Sequence, residues 1–183
     1  NLKHNKTHLR FNSMKRFLSV FCLTIITFYS SAQNAEYTTD AKSIDNIIAA
    51  IYDVISGDEG TARDWERFHN LFTKDAKLIP TGKSEDGSTT YRYWTPKAYQ
   101  EMFVANRSAF FERELFRKTE AYGNIVHVFS TYETLDALDG EVTNRGINSF
   151  QILKAKDRYY IMNIFWSAEN DGFPLPANYL PKQ

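Results

Sequence analysis

The hydrophobic period changes once along this chain, and that change decides what it can become. Up to about residue 110 apolar side chains recur at helical spacing; beyond Leu115 they alternate at the spacing of two that belongs to strands. Four consecutive strands are predicted, over 115–122, 125–135, 145–155 and 159–167. Gly123-Asn124, Asp139-Gly140 and Lys156-Asp157 are the turn signals between them. Helices followed by an antiparallel meander define an α+β chain with its helices on one face of a curved sheet.

The amino-terminal half supplies three helices. Ser43 can cap the first, in which Ile44, Ile47, Ile48, Ile51 and Ile55 form an apolar stripe, and Gly57 can end it. Thr61-Ala62-Arg63-Asp64 reads as a capping box before Trp65, Phe68, His69 and Phe72. Short strands are expected at 76–80 and 91–94, with a loop between them. Thr95-Pro96 opens the third helix, which carries Tyr99, Phe103, Asn106 and Phe110 on one side. Residues 173–181 hold three of the five prolines and read as an extended tail.

Composition matters most at the amino terminus. Residues 1–32 hold five basic residues and no acidic one, and the rest carries 17 basic against 22 acidic. This mildly acidic body argues against a nucleic-acid binder. Met14-Lys15-Arg16, an apolar run over 17–29 and Ser30-Ser31-Ala32 before Gln33 form a signal-peptide pattern over 14–32. At 13 residues the run falls short of the roughly 20 of a membrane span. The expectation is a secreted or periplasmic protein cleaved near Ala32/Gln33, with a polar leader over 33–42. Residues 1–13 read as a mis-called start. The single cysteine, Cys22, lies inside the apolar run, so the mature chain has neither disulfide nor thiolate chemistry. Its 151 residues suffice for one domain with a core of its own, over 43–170, followed by a tail over 171–183.

The element order and four stretches carry a resemblance. They are Asp64-Trp65-Glu66-Arg67-Phe68-His69-Asn70-Leu71-Phe72, Ser130-Thr131-Tyr132-Glu133, Arg145-Gly146-Ile147-Asn148-Ser149 and Asp157-Arg158-Tyr159-Tyr160-Ile161. Together they resemble the nuclear transport factor 2-like superfamily, and especially its SnoaL-like bacterial members. The resemblance implies a cone-shaped, cystatin-like roll: a bent sheet wrapped over three helices, a pocket between them, and dimers formed through the outer sheet face. The same fold hosts isomerases, dehydratases, cyclases and binding modules, so it implies architecture more strongly than activity.

Faces follow from the turns. If Asp139-Gly140 and Lys156-Asp157 are two-residue turns, one face carries Ile125, His127, Phe129, Thr131 and Glu133, joined by Asn148, Phe150, Ile152, Ile161, Asn163 and Phe165. A one-residue slip inverts such an assignment. Apolar groups interrupted by polar ones suit a pocket. The candidate pocket residues are Trp65, His69, Tyr93, His127, Thr131, Asn148, Phe150, Asn163 and Phe165. The polar ones could equally satisfy one another, and His127 and His69 could be packed core histidines. The other face, with Tyr132, Ile147, Met162, Ile164 and Trp166, is expected to be covered by a second copy in a homodimer, or else by the tail over 173–181.

No metal or cofactor is expected, since the two histidines of the mature chain lie on different elements and no phosphate loop occurs. Asp64 reads as a helix-start acceptor, and Glu133 as the ion-pair partner of Arg145 across two strands. The leading functional expectation is a binder of a small, partly apolar molecule. An alternative is a cofactor-free isomerase or lyase. In the resembled enzymes a carboxylate or a His–Asp pair faces a tyrosine; no aspartate falls on the assigned face, which leaves His127 or His69 as base and Tyr93 or Asn163 as donor. A third reading is an interaction domain with a filled pocket.

Overall fold

A computed structural model describes residues 37–170 and 172–182. The signal-peptide, cleavage-site and Cys22 expectations lie outside the described residues, as does the leader up to residue 36. From Thr39 onward the chain forms one compact unit. Helix α1 spans Ile44–Ile55, and the Ser43 hydroxyl accepts the Asn46 N–H at 3.0 Å, as the sequence predicts. Helix α2 spans Trp65–Asn70. It starts later than the capping box suggests: the N-cap is Asp64, whose carboxylate accepts the Arg67 N–H at 2.9 Å. Helix α3 spans Pro96–Ala105, with Thr95 as N-cap and proline in the first turn.

The strands are β1 Phe72–Lys83, β2 Thr89–Tyr91, β3 Phe111–Tyr122, β4 Ile125–Leu135, β5 Val142–Lys154 and β6 Tyr159–Ala168. They form one mixed sheet in the order β2-β1-β6-β5-β4-β3. The meander is antiparallel throughout, while β1, entering from α2, pairs with β6 in parallel. The architecture is thus the expected α+β roll, with one parallel pair that the sequence pattern does not announce. Among the described residues no helix is long and apolar enough to cross a membrane.

Part of the expected loose leader is packed. Ala41 is fully buried, its carbonyl accepts the Tyr159 N–H, and Asp40 pairs with Arg67 at 2.8 Å. The core lies between α1 and the concave sheet face, where Ile47, Ile48 and Ile51 meet Val126, Val128 and Phe150.

Register is where structure and sequence part. Six residues, 136–141, join β4 to β5 in place of a two-residue turn, so Ser130 faces Asn148 and Val128 faces Phe150, one residue from the expected partners. The β5–β6 turn has the expected register as far as Ile152 opposite Ile161. A bulge then intervenes, and Gln151 faces Asn163. The concave side of β4 is therefore Val126, Val128, Ser130 and Tyr132, whereas His127, Phe129, Thr131 and Glu133 point outward. On β5 the assignment holds, with Asn148, Phe150 and Ile152 inward; on β6 Ile161 is inward and Asn163 and Phe165 outward. A second bulge, between Glu114 and Phe116, puts Glu114 and Arg117 on the same side of β3, joined by an ion pair.

The face expected to bury a second copy is consequently not a single surface. Tyr132 and Ile164 belong to the core, and only Met162 of that set is exposed. The tail crosses the outer side of the sheet instead. The Thr131 hydroxyl donates to the Tyr179 carbonyl at 2.6 Å, and the Phe129 and Tyr179 rings lie 5.2 Å apart. Glu133 and Arg145 face each other in register, yet Glu133 takes Arg113 and Arg145 takes Glu169. The β3 neighbour and the segment after β6 each offer a nearer partner than the one across β5.

Candidate functional site

A cavity of about 380 Å³ opens between the concave sheet face, α1 and α3. Phe68, Tyr99 and Phe103 form its helical side, Trp94, which bridges to Leu78 of β1, lies before α3, and Phe150, Ile164 and Trp166 form its sheet side. This volume falls within the roughly 300–1,000 Å³ of small-molecule sites. Tyr99 stacks on Phe68 with centroids 5.6 Å apart, and Trp94 meets Trp166 at 6.2 Å, so the walls are braced ring against ring.

Glu112 brings charge into this aromatic enclosure. It sits near the start of β3, where the Ser56 hydroxyl at the end of α1 accepts its backbone N–H at 3.0 Å. Asn148 Nδ2 donates to Glu112 Oε1 at 3.0 Å and to Tyr52 Oη at 3.1 Å. The Tyr52 hydroxyl lies 2.8 Å from Ser130 Oγ, which donates to Glu114 Oε1 at 2.5 Å. Because Ser130 has one proton and gives it to Glu114, Tyr52 must be the donor to Ser130. The bonds therefore run one way, from Asn148 through Tyr52 and Ser130 to Glu114, which Arg117 also holds.

The two carboxylates have different surroundings. Glu114 has a guanidinium beside it, and Arg117 extends to Asp45 at 2.8 Å. Glu112 has only the Asn148 amide; burial pushes its carboxyl up to about 7, with that hydrogen bond pulling the other way. The Tyr52, Tyr99 and Tyr132 hydroxyls are raised above the usual range by burial first and by the Glu112 charge second. Tyr132 lies over Gly146, its partner on β5, where a Cβ would approach the phenol oxygen to 2.6 Å. A carboxyl with its pKa near 7, an amide and phenol groups in a mainly apolar enclosure can bind a polar handle or move a proton.

Of the residues expected at the pocket, the structure brings Asn148 and Phe150 into this cavity. Tyr93, Asn163 and Phe165 line a shallower depression on the outer face, beside Tyr91 and Gln151. His127 is also on that face, with Nε2 3.0 Å from Ser149 Oγ, and Thr131 lies beneath the tail. His69 Nε2 bonds Gln100 at 2.7 Å, and Trp65 packs edge-on against Phe68 and Phe103, so both serve the junction of α2 and α3. Sequence reasoning missed Glu112 because it began β3 at Leu115 and left Glu112-Arg113-Glu114 in a connection. The alternation of Phe110, Glu112 and Glu114 was the available signal, interrupted by the bulge that follows.

No protein-family model and no curated protein matches this chain. Solved structures do. A cystatin-like-fold protein of Nostoc punctiforme superimposes with a TM-score of 0.54 at 13% identity, covering 73% of this chain and 92% of its own. A nuclear transport factor 2-like protein of Pseudomonas putida superimposes with a TM-score of 0.54 at 11% identity, covering 70% and 85%. The resemblance read from the sequence thus holds as fold: this chain has the nuclear transport factor 2-like, cystatin-like cone.

Proposed function

We propose that this protein binds a small, partly apolar molecule in the cone cavity. One observation carries the reading: a cavity of about 380 Å³ with braced aromatic walls and a single carboxyl, Glu112. Such an enclosure rewards transfer of an apolar body from water and orients it by one polar end. The signal-peptide pattern over 14–32 supports a place of action in the periplasm or outside the cell. Native mass spectrometry of the purified protein tests the proposal. A co-purifying small molecule that Phe150→Trp, which fills the cavity, displaces supports it; an empty cavity that takes up no compound from a small-molecule library rejects it.

A second reading, a cofactor-free isomerase or lyase, is favoured by the near-neutral Glu112 beside phenol groups. Glu112 would take a proton from carbon next to a carbonyl while Tyr99 or Tyr132 donates to the enolate oxygen. The candidate base thereby moves from His127 and His69 to Glu112. Turnover that survives Glu112→Gln rules this chemistry out.

Pairing of two copies belongs to the same proposal, now on the outer face. Tyr91, Tyr93 and Phe165 are exposed there around one depression and support it. Sedimentation of the intact protein against Tyr93→Ser/Phe165→Ser decides whether these rings hold a dimer.

A further inference from the structure

The cavity is lopsided in charge. Among the residues lining it Glu112 is the one carboxylate, and no lysine, arginine or histidine joins it. Other acidic groups around the core are answered: Glu114 by Arg117, Glu133 by Arg113, Glu169 by Arg145. The groups facing Glu112 from the packed elements are Tyr52 of α1, Tyr99 of α3, Tyr132 of β4 and Asn148 of β5, all uncharged donors, with Glu114 further along its own strand. The nearby guanidinium of Arg63 is spent on the Ile55, Gly57, Asp58 and Thr61 carbonyls.

Among the described residues no cation reaches this carboxyl, so the cation is left to the ligand. Resting on the reading that the cavity binds a small molecule, we propose that its ligand is a protonated amine carrying an apolar, ring-sized body. The ammonium would sit at Glu112 beside the rings of Tyr99 and Phe110, while the Phe103 ring already has the Arg63 guanidinium over it at 6.0 Å; aromatic faces attract cations most where water is excluded. An anionic ligand meets the opposite: one carboxylate, ring faces and no positive group. Burial holds the Glu112 carboxyl up to about 7 in the empty cavity, so an arriving ammonium draws it into its charged form and a proton leaves for the buffer.

Matched probes test this with the intact protein: 2-phenylethylamine and tryptamine, their alcohols 2-phenylethanol and tryptophol, and the acid 3-phenylpropanoate, in titration calorimetry at pH 6 and pH 8. The expected result is at least tenfold tighter binding of each amine than its alcohol at pH 8, a smaller margin at pH 6, and no binding of the acid. At pH 6 two buffers of different ionisation enthalpy should reveal a proton released with the amine. Glu112→Gln should erase the margin and leave the alcohols bound; the pH series on the unaltered protein decides the same question if that variant does not fold. Alcohols that bind as tightly as amines overturn the amine assignment alone. Failure of every probe overturns the amine assignment, while the binding reading stands or falls by native mass spectrometry.

Discussion

Asn148 and Glu112, 36 residues apart in sequence, meet through a 3.0 Å hydrogen bond that links the cavity to the polar chain behind it. Each of the two amide hydrogens of Asn148 has an acceptor, Glu112 on one side and Tyr52 on the other. The amide cannot turn without breaking both.

The pH dependence of stability follows from Glu112. Its folded pKa of about 7 lies above its ordinary 4.5, so the folded state holds the proton more tightly. Stability is full below the ordinary value and falls as pH rises through 7, by at most about 3 kcal/mol at 1.36 kcal/mol per pKa unit. Glu112→Gln should flatten this slope. Urea unfolding at pH 4.5, 6 and 8 measures it, and equal slopes in both proteins would contradict the assignment.

Tyr52→Phe removes a hydroxyl that donates to Ser130 and accepts from Asn148. Both partners are buried, so the loss should cost about 1–3 kcal/mol, the range for buried groups left unsatisfied. Chemical denaturation gives the number, and Ser130→Ala in the same background should then add little because the two effects share one chain.

Gly146→Ala should crowd the Tyr132 phenol, whose oxygen lies 2.6 Å from the position of the new Cβ. Overpacking of this kind costs about 1–3 kcal/mol. The Ser167 carbonyl is also in the way, so Tyr132→Phe should restore only part of the loss. Thermal melting of the single and double variants tests the order.

Truncation after Asn170 should uncover Phe129 and leave the Thr131 hydroxyl without its Tyr179 acceptor. A lower melting temperature and self-association on sedimentation are expected. An unchanged melt would mean that the tail is ornamental to the sheet.

The elements were legible because their signals are local. Ser43, Thr95-Pro96 and Gly123-Asn124 each declare a boundary within a few residues, and Gly123, at φ +56°, takes the left-handed turn that its lack of a side chain permits. Which face each strand presents is a different kind of quantity. It depends on parity accumulated across loops and bulges, so the six-residue connection before β5 and the bulge in β6 were enough to send His127 and Asn163 outward while Phe150 stayed inward. Glu112 escaped for the same reason, since the bulge after Glu114 hides the alternation to which it belongs.

That bulge also sets an unusual constraint on spelling. In an even strand, residues three apart point to opposite sides, and an acid and a base so spaced could never neutralise each other. The extra residue at Leu115 makes an odd spacing behave as an even one, which is why Glu114 and Arg117 share one side of the sheet. Deleting this leucine alters no charge in the sequence. It would leave acid and base two residues apart, a spacing that shares one side of an even strand, so the pair survives under either spelling provided the bulge comes and goes with the extra letter.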